Sequence, residues 1–314
     1  MDRGAIEISF GWLFAIIAGA FILFMAIYFA IQLIGTENYE GDIVTSKEIG
    51  IIMNPLEIGF EEGKVTLLEL PVETRFYNNC SDEGNFGKQK IKISQKNLGS
   101  WSDLNQGVSF QNKYIFSKNA SEGRSFYVYS KPLELPFKVA DLIYLIPKNK
   151  VYCFIKAPLN ISTEIRDLRL ENIVNVSQIS KCPTGSENVC FKSGGNSVDC
   201  GLTDTIINTN AKMLRRGTKE VKFDGDTLMY AALFSERDVY ECQLKRLMKR
   251  TSILASMYDE KATLIARNNC NSDLNLVGLE NAAKSIQTLG QLPSVVGISN
   301  EIKIANDKAY CKLW

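Results

Sequence analysis

The stretch FGWLFAIIAGAFILFMAIYFAI, Phe10 to Ile31, holds 22 residues without a charge or a strongly polar side chain. As a helix it spans about 33 Å at ~1.5 Å per residue, the thickness of a bilayer core. A core helix of a soluble protein seldom carries aromatic and branched residues on every face, so the sequence predicts a transmembrane helix over 10–34. The small triplet Ala18, Gly19, Ala20 offers a place for a secretory signal to be cut. The residues after it, FILFMAIYFA, stay apolar where a cut would require a polar segment. Later runs are too short to span; VADLIYLI, Val139 to Ile146, is a strand-length piece. One crossing is expected.

The flanks suggest orientation. Arg3 and the terminal amine precede the span, whereas Glu37, Glu40 and Asp42 follow it before Lys47. The positive-inside bias then puts residues 1–9 in the cytoplasm, 35–63 as a juxtamembrane lead, and the remainder outside the cell membrane. The lipid bilayer is the first expected partner.

Arg3-Gly4 directly before Ala5-Ile6-Glu7 and a long apolar helix resembles the class III signal segment of type IV pilin-like proteins, most of all the archaeal ones. The whole chain is similar to single-pass archaeal surface proteins with an IEISFG-type start, here Ile6 to Gly11. The resemblance implies cleavage after Gly4 on the cytoplasmic side, leaving the helix as an anchor, with Glu7 third after the cut. In a filament Glu7 would neutralise a neighbour's new amine; alternatively it simply sits in the membrane interface. Identical subunits or other surface proteins are the partners this implies.

Beyond the lead, the period changes. KVTLLELPVETRFY, KQKIKISQ, VSFQNKYIFS, RSFYVYS and NKVYCFIK are rich in β-branched and aromatic residues and are separated by turn-forming pieces. They predict an antiparallel β-rich unit over 64–156, with Lys90 and Lys92 alternating with Ile91 and Ile93 to leave one wet face. A mixed region over 157–234 follows. It contains a helix over Asn160–Asn172 capped by Ser162, and an exposed Cys-rich loop, CPTGSENVCFKSGGNSVDCG. The third part, 235–314, reads as helical. Ser235 and Asp238 have capping-box spacing, and Tyr240, Leu244, Leu247, Thr251, Leu254, Tyr258, Ala262 and Ile265 recur at three- and four-residue steps. A second helix is expected from Asp273 to Leu289, with Pro293 ending it. Strands first and helices last define an α+β fold behind a transmembrane helix.

Composition removes several classes of chemistry. The chain has no histidine, which excludes a Ser-His-Asp triad, a Cys-His pair and imidazole metal sites. Its 36 Lys plus Arg against 35 Asp plus Glu give no overall electrostatic case for nucleic acid. No cofactor or metal motif stands out. The eight cysteines, Cys80, Cys153, Cys182, Cys190, Cys200, Cys242, Cys270 and Cys311, all follow the span and suit disulfides in an exported domain. Cys80 with Cys153, both near strands, and Cys270 with Cys311, both in the last part, are the expected couples; Cys182, Cys190 and Cys200 share the loop.

Three further motifs have ordinary explanations. The KFDGDTLMY stretch, with Asp224 and Asp226, resembles a phosphotransferase Asp-x-Asp start, but an Asp-Gly hairpin turn explains it more simply. The basic run KRLMKR, Lys245 to Arg250, reads as a solvated helix face. Four Asn-x-Ser sequons, at Asn79, Asn119, Asn160 and Asn175, permit surface glycosylation and are about as many as chance supplies. The functional expectation is therefore an anchored surface protein with a structural, adhesive or assembly role; enzymatic chemistry without histidine stays open, but no residue set stands out for it. A tethered hydrolase of cell-envelope polymers is the alternative.

Overall fold

A computed structural model describes residues 11–12, 14–32, 65–97, 99–102, 107–192, 200–201, 203–267, 270 and 273–314. The first helix, α1, runs Phe14–Gln32 and is long and apolar enough to cross a membrane; the described chain buries none of it. The fold is mixed α+β, as the order of sequence periods predicts.

The first sheet has seven strands: β1 Val65–Ser81, β2 Lys88–Asn97, β3 Ser100–Trp101, β4 Val108–Phe110, β5 Tyr114–Phe116, β6 Ala120–Glu134 and β7 Lys138–Pro147. The order is β3-β2-β1-β6-β7-β5, with β4 also paired to β2. Alternation in β2 matches the reading of one wet face, since Ile91 and Ile93 are buried and Lys90 and Lys92 are only partly covered. The register of β1 against β6 breaks between Glu69 and Thr74, where Pro71 has no N–H for the ladder. Pairing is antiparallel except that β5 runs parallel to β7. This corrects the wholly antiparallel expectation.

A second correction concerns the end of that unit. The segment at 152–155 is β8, Tyr152–Ile155, and belongs to a second sheet with β9 Ile173–Val176, β10 Glu187–Lys192, β11 Thr205–Asn208, β12 Met213–Arg216 and β13 Lys219–Lys222. The order is β13-β12-β11-β10-β8-β9, parallel from β9 through β11 and antiparallel beyond. Every residue of β8 is buried, as befits a strand covered on both faces. Helix α2, Leu159–Leu168, makes the crossover from β8 to β9. Its N-cap is Pro158, so Ser162 lies inside the helix and donates to Leu159 O instead of capping. The supposed Cys-rich loop contains β10, flanked on both sides by parallel partners.

Between the sheets lies α3, Gly225–Phe234, buried from Leu228 to Phe234 and touching β5, β6 and β7 on one side and β12 on the other. A helix apolar all round has no amphipathic stripe. Asp224 is its N-cap and Gly225, at φ +67, its first residue, which replaces the expected Asp-Gly hairpin.

The long helix α4, Arg237–Ala266, starts after Glu236, while Ser235 ends α3 by donating to Ala231 O. It buries Tyr240, Leu244, Leu247 and Thr251 as the spacing predicts. After α5, Leu276–Lys284, the last helix α6 occupies Leu292–Lys308 with Pro293 in its first turn. Proline here opens a helix rather than ending one, because a first-turn N–H has no intrahelical acceptor to lose.

Candidate functional site

The basic run is where the structure departs most from a solvated face. Arg246 is fully buried, and its guanidinium donates to Phe86 O at 3.2 Å, Lys113 O at 3.0 Å, Gln111 O at 2.8 Å, Phe110 O at 3.4 Å and Gln243 Oε1 at 2.6 Å. It also stacks 4.8 Å over the Tyr114 ring. Among the described residues no carboxylate takes part. Burial draws its pKa down from the ordinary 12.5, yet an arginine keeps its charge across the accessible pH range. Lys249 donates to Asp82 O and Gly84 O, Arg250 to Val139 O at 2.7 Å, and Lys245 pairs with Asp82 at 3.4 Å. All four basic side chains thus fasten α4 to strand ends and turns of the first sheet.

An amide network continues this fastening inward. Gln89 accepts from Ile115 N–H at 2.9 Å and donates to Ile115 O at 2.7 Å, so its side chain stands in for the missing strand on the open edge of β5. Asn78 donates to Ile115 O and to Ser117 Oγ and accepts from Gln89, while Gln243 joins from α4. Buried backbone polar groups must find partners, and a β5 of only three residues finds them in side chains.

The seam between the sheets is ionic. Glu187, at the start of β10, faces Lys150 at 3.2 Å, Arg216 at 3.5 Å and Lys118 at 3.8 Å. Arg216 also donates to Leu233 O and Ser235 O at the C-terminus of α3. Lys118 pairs with Glu236 at 3.4 Å as well. Burial pulls the Lys118 ammonium below its usual 10.5, with Glu187 opposing and Arg216 adding to the shift. Nearby, burial pushes the Tyr152 phenol up. Further along, Glu164 of α2 takes both Lys131 and the Tyr230 hydroxyl, whose pKa rises through burial and then through Glu164.

A cleft of about 370 Å³ opens between the β12–β13 hairpin, the first turns of α4 and the segment after α5; Glu220, Lys222, Lys245 and Thr288 line it, with the Arg237–Glu241 pair at 2.6 Å. Its charged groups alternate in sign, and its guanidinium is already matched. A hydrolase would call for converging carboxylates with raised pKa values. The carboxylates with displaced values, Glu73 beside Lys96 and Glu171 beside Lys148, are instead lowered by hydrogen bonds from those lysines. Among the described residues no group of three or more acidic or cysteine side chains is placed to hold a metal ion.

All eight cysteines are paired: Cys80–Cys242, Cys153–Cys182, Cys190–Cys200 and Cys270–Cys311. The last is the couple expected from their shared place in the chain. The Cys80–Cys153 expectation is overturned. Cys80 ends β1 beside α4, with Cα atoms 6.1 Å from those of Cys242, while Cys153 lies in the second sheet and meets Cys182. Asp224 pairs with Lys212, and Asp226 accepts from Asn160 at 3.0 Å, so these two acids hold helix α3's start to its neighbours. The processing candidates Arg3, Gly4, Ala5 and Glu7, and the lead over 35–63, lie outside the described residues.

No family model, curated protein or solved structure matches this chain.

Proposed function

We propose that the chain is a single-pass surface protein, with a cytoplasmic N-terminus, a membrane-spanning α1 and a folded part outside the cell membrane that does structural, adhesive or assembly work. The observation that supports it most is the closure of all eight cysteines into four disulfides in the part that follows an apolar, unburied helix. Disulfides persist in oxidising compartments, and a 19-residue apolar helix of about 28 Å suits the bilayer that would separate such a compartment from the cytoplasm. The buried polar side chains agree with this role, because they join backbone to backbone and strand to helix. The pilin-like start gives the role a specific form: cleavage after Gly4 releases a subunit that assembles with identical copies or other surface proteins.

Thiol-blocked, non-reducing peptide mapping on native membranes tests the compartment. Four cross-linked peptide pairs are expected; eight alkylated cysteines would reject the proposal. Mass measurement of the mature N-terminus tests the assembly form. A chain beginning at Ala5 supports it, and one retaining Met1 or Asp2 removes pilin-type processing while leaving the anchor.

A further inference from the structure

The four sequons are alike in sequence and unlike in the folded chain. At Asn119 the side-chain amide donates to Asp238 at 2.9 Å, and the Ser121 hydroxyl two residues on is buried. At Asn160 the amide donates to Asp226, and the Ser162 hydroxyl is turned back onto Leu159 O within α2. Asn79 is exposed, but its sequon has Cys80 at the centre, bonded to Cys242, and its Ser81 hydroxyl accepts from Glu83 N–H. Asn175 alone differs on every count. It and Ser177 are both exposed, neither side chain has a hydrogen-bond partner among the described residues, and the chain bends at Ser177 as it leaves β9.

Position adds a second argument. The two edges of the second sheet are β9 and β13. In β13, Lys219, Glu220 and Lys222 are exposed, a common way for an edge strand to repel a foreign strand. β9 reads Ile-Val-Asn-Val, with no charge and no proline. Its sole polar residue is Asn175, and a bulky hydrophilic group there would give this edge the protection that lysines give the other.

We propose that Asn175 carries an N-linked glycan. The inference rests on the exported placement proposed above. In the transfer, Asn175 Nδ2 forms a bond to C1 of an oligosaccharide carried on a polyprenyl phosphate. The C1–O bond to phosphate breaks, the lipid phosphate leaves with the electron pair, and Nδ2 gives up one proton to a base of the membrane transferase. The product is a glycosyl amide.

The experiment is glycopeptide mass spectrometry on the full chain from native membranes, wild type and Asn175→Gln, with thiols blocked before digestion. The expected result is a sugar mass on the Asn175 peptide, its loss in the variant, an unchanged unfolding midpoint in that variant after enzymatic or chemical removal of sugar from both proteins, and unmodified peptides at Asn119 and Asn160. An unmodified Asn175 peptide in protein with its four disulfides intact overturns this inference and leaves the exported placement standing. An unmodified Asn175 peptide in protein with eight free thiols overturns both. Occupancy at Asn119 or Asn160 equal to that at Asn175 overturns the claim that the folded surface selects the site.

Discussion

Helix α4 grips the first sheet through a buried cation that meets carbonyls, an amide and the Tyr114 ring, whereas the seam between the sheets gathers three cations around Glu187. The covalent reinforcements differ too. Cys80–Cys242 spans 162 residues and ties β1 to α4, while Cys190–Cys200 closes only 10 residues within the second sheet, in a cluster with Cys153 and Ile155 apart from the core between the sheets. The first contact is therefore set by long-range closure and a cation among backbone dipoles, with the part-exposed Lys245–Asp82 pair beside it, whereas the second rests on charge. One should respond to loss of covalent or geometric constraint, and the other to pH.

The largest effect expected from this contrast is covalent. In the chain-entropy account, closing a loop as long as that of Cys80–Cys242 is worth about 5 kcal/mol, against about 3 kcal/mol for one as short as that of Cys190–Cys200. Paired Cys→Ser variants of the full chain in detergent should keep that order in their unfolding midpoints. Equal losses, or a larger loss for the short loop, would mean that α4 holds the first sheet without help from the long bridge.

Next comes Arg246. Replacing it by Met leaves the Phe86, Phe110, Gln111 and Lys113 carbonyls short of a donor in a buried place, at a cost of about 3–5 kcal/mol. Arg246→Lys should recover only part of this, because three ammonium hydrogens cannot satisfy five acceptors spread over a planar fork. Denaturant unfolding measures both. A Met variant as stable as wild type would show that those carbonyls find other donors and that the clamp is incidental.

Those same residues mark the limit of what could be read in the sequence. The stripe from Tyr240 to Ile265 gave α4 its position and inner face, but a helical period says nothing about what lies beyond the other face. The period puts Arg246 among the solvent-facing side chains, because its acceptors come from turns some 130 to 160 residues earlier. Helix α3 escaped for the opposite reason: GDTLMYAALF is buried nearly all round and carries no period. The β12–β13 hairpin, closed by a two-residue Gly217-Thr218 loop, has no such signal, since MLRR and KEVK lack the β-branched alternation that marks a strand. In β1, β2, β6 and β7 alternation or a continuous apolar run was enough. Cysteine pairing depended on topology, so only the couple confined to the last part could be anticipated.

A smaller effect isolates the fit around the clamp. Gly87 sits at φ +59, and a Cβ there would lie 2.5 Å from Ser81 O and 2.8 Å from Arg246 Cγ. Gly84 has a similar φ of +72 with nothing within 4 Å. Gly84→Ala should therefore cost only the left-handed backbone term, about 1–2 kcal/mol, and Gly87→Ala about 1 kcal/mol or more beyond that. Parallel thermal unfolding of the two variants measures the difference. If they lose the same amount, the turn is not pressed against Arg246.

The subtlest test takes the seam's charge instead. Burial lowers the Lys118 pKa below 10.5, so between its folded value and about 10.5 the unfolded chain binds a proton that the folded chain has released. Stability then rises with pH across that window through this group, and below the window the folded state carries the full cost of the buried ammonium. Buried tyrosines such as Tyr152 act in the other direction above about pH 10, because the unfolded chain loses their protons first. Comparing wild type with Lys118→Met cancels the tyrosines and leaves the lysine. Wild type should gain on the variant as pH rises toward 10.5, while Arg246→Met measured in the same series should run parallel to wild type, since its guanidinium does not titrate there. Parallel curves for Lys118→Met would mean that Lys118 keeps its proton in the folded seam and that both contacts, for all their difference in partners, are indifferent to pH.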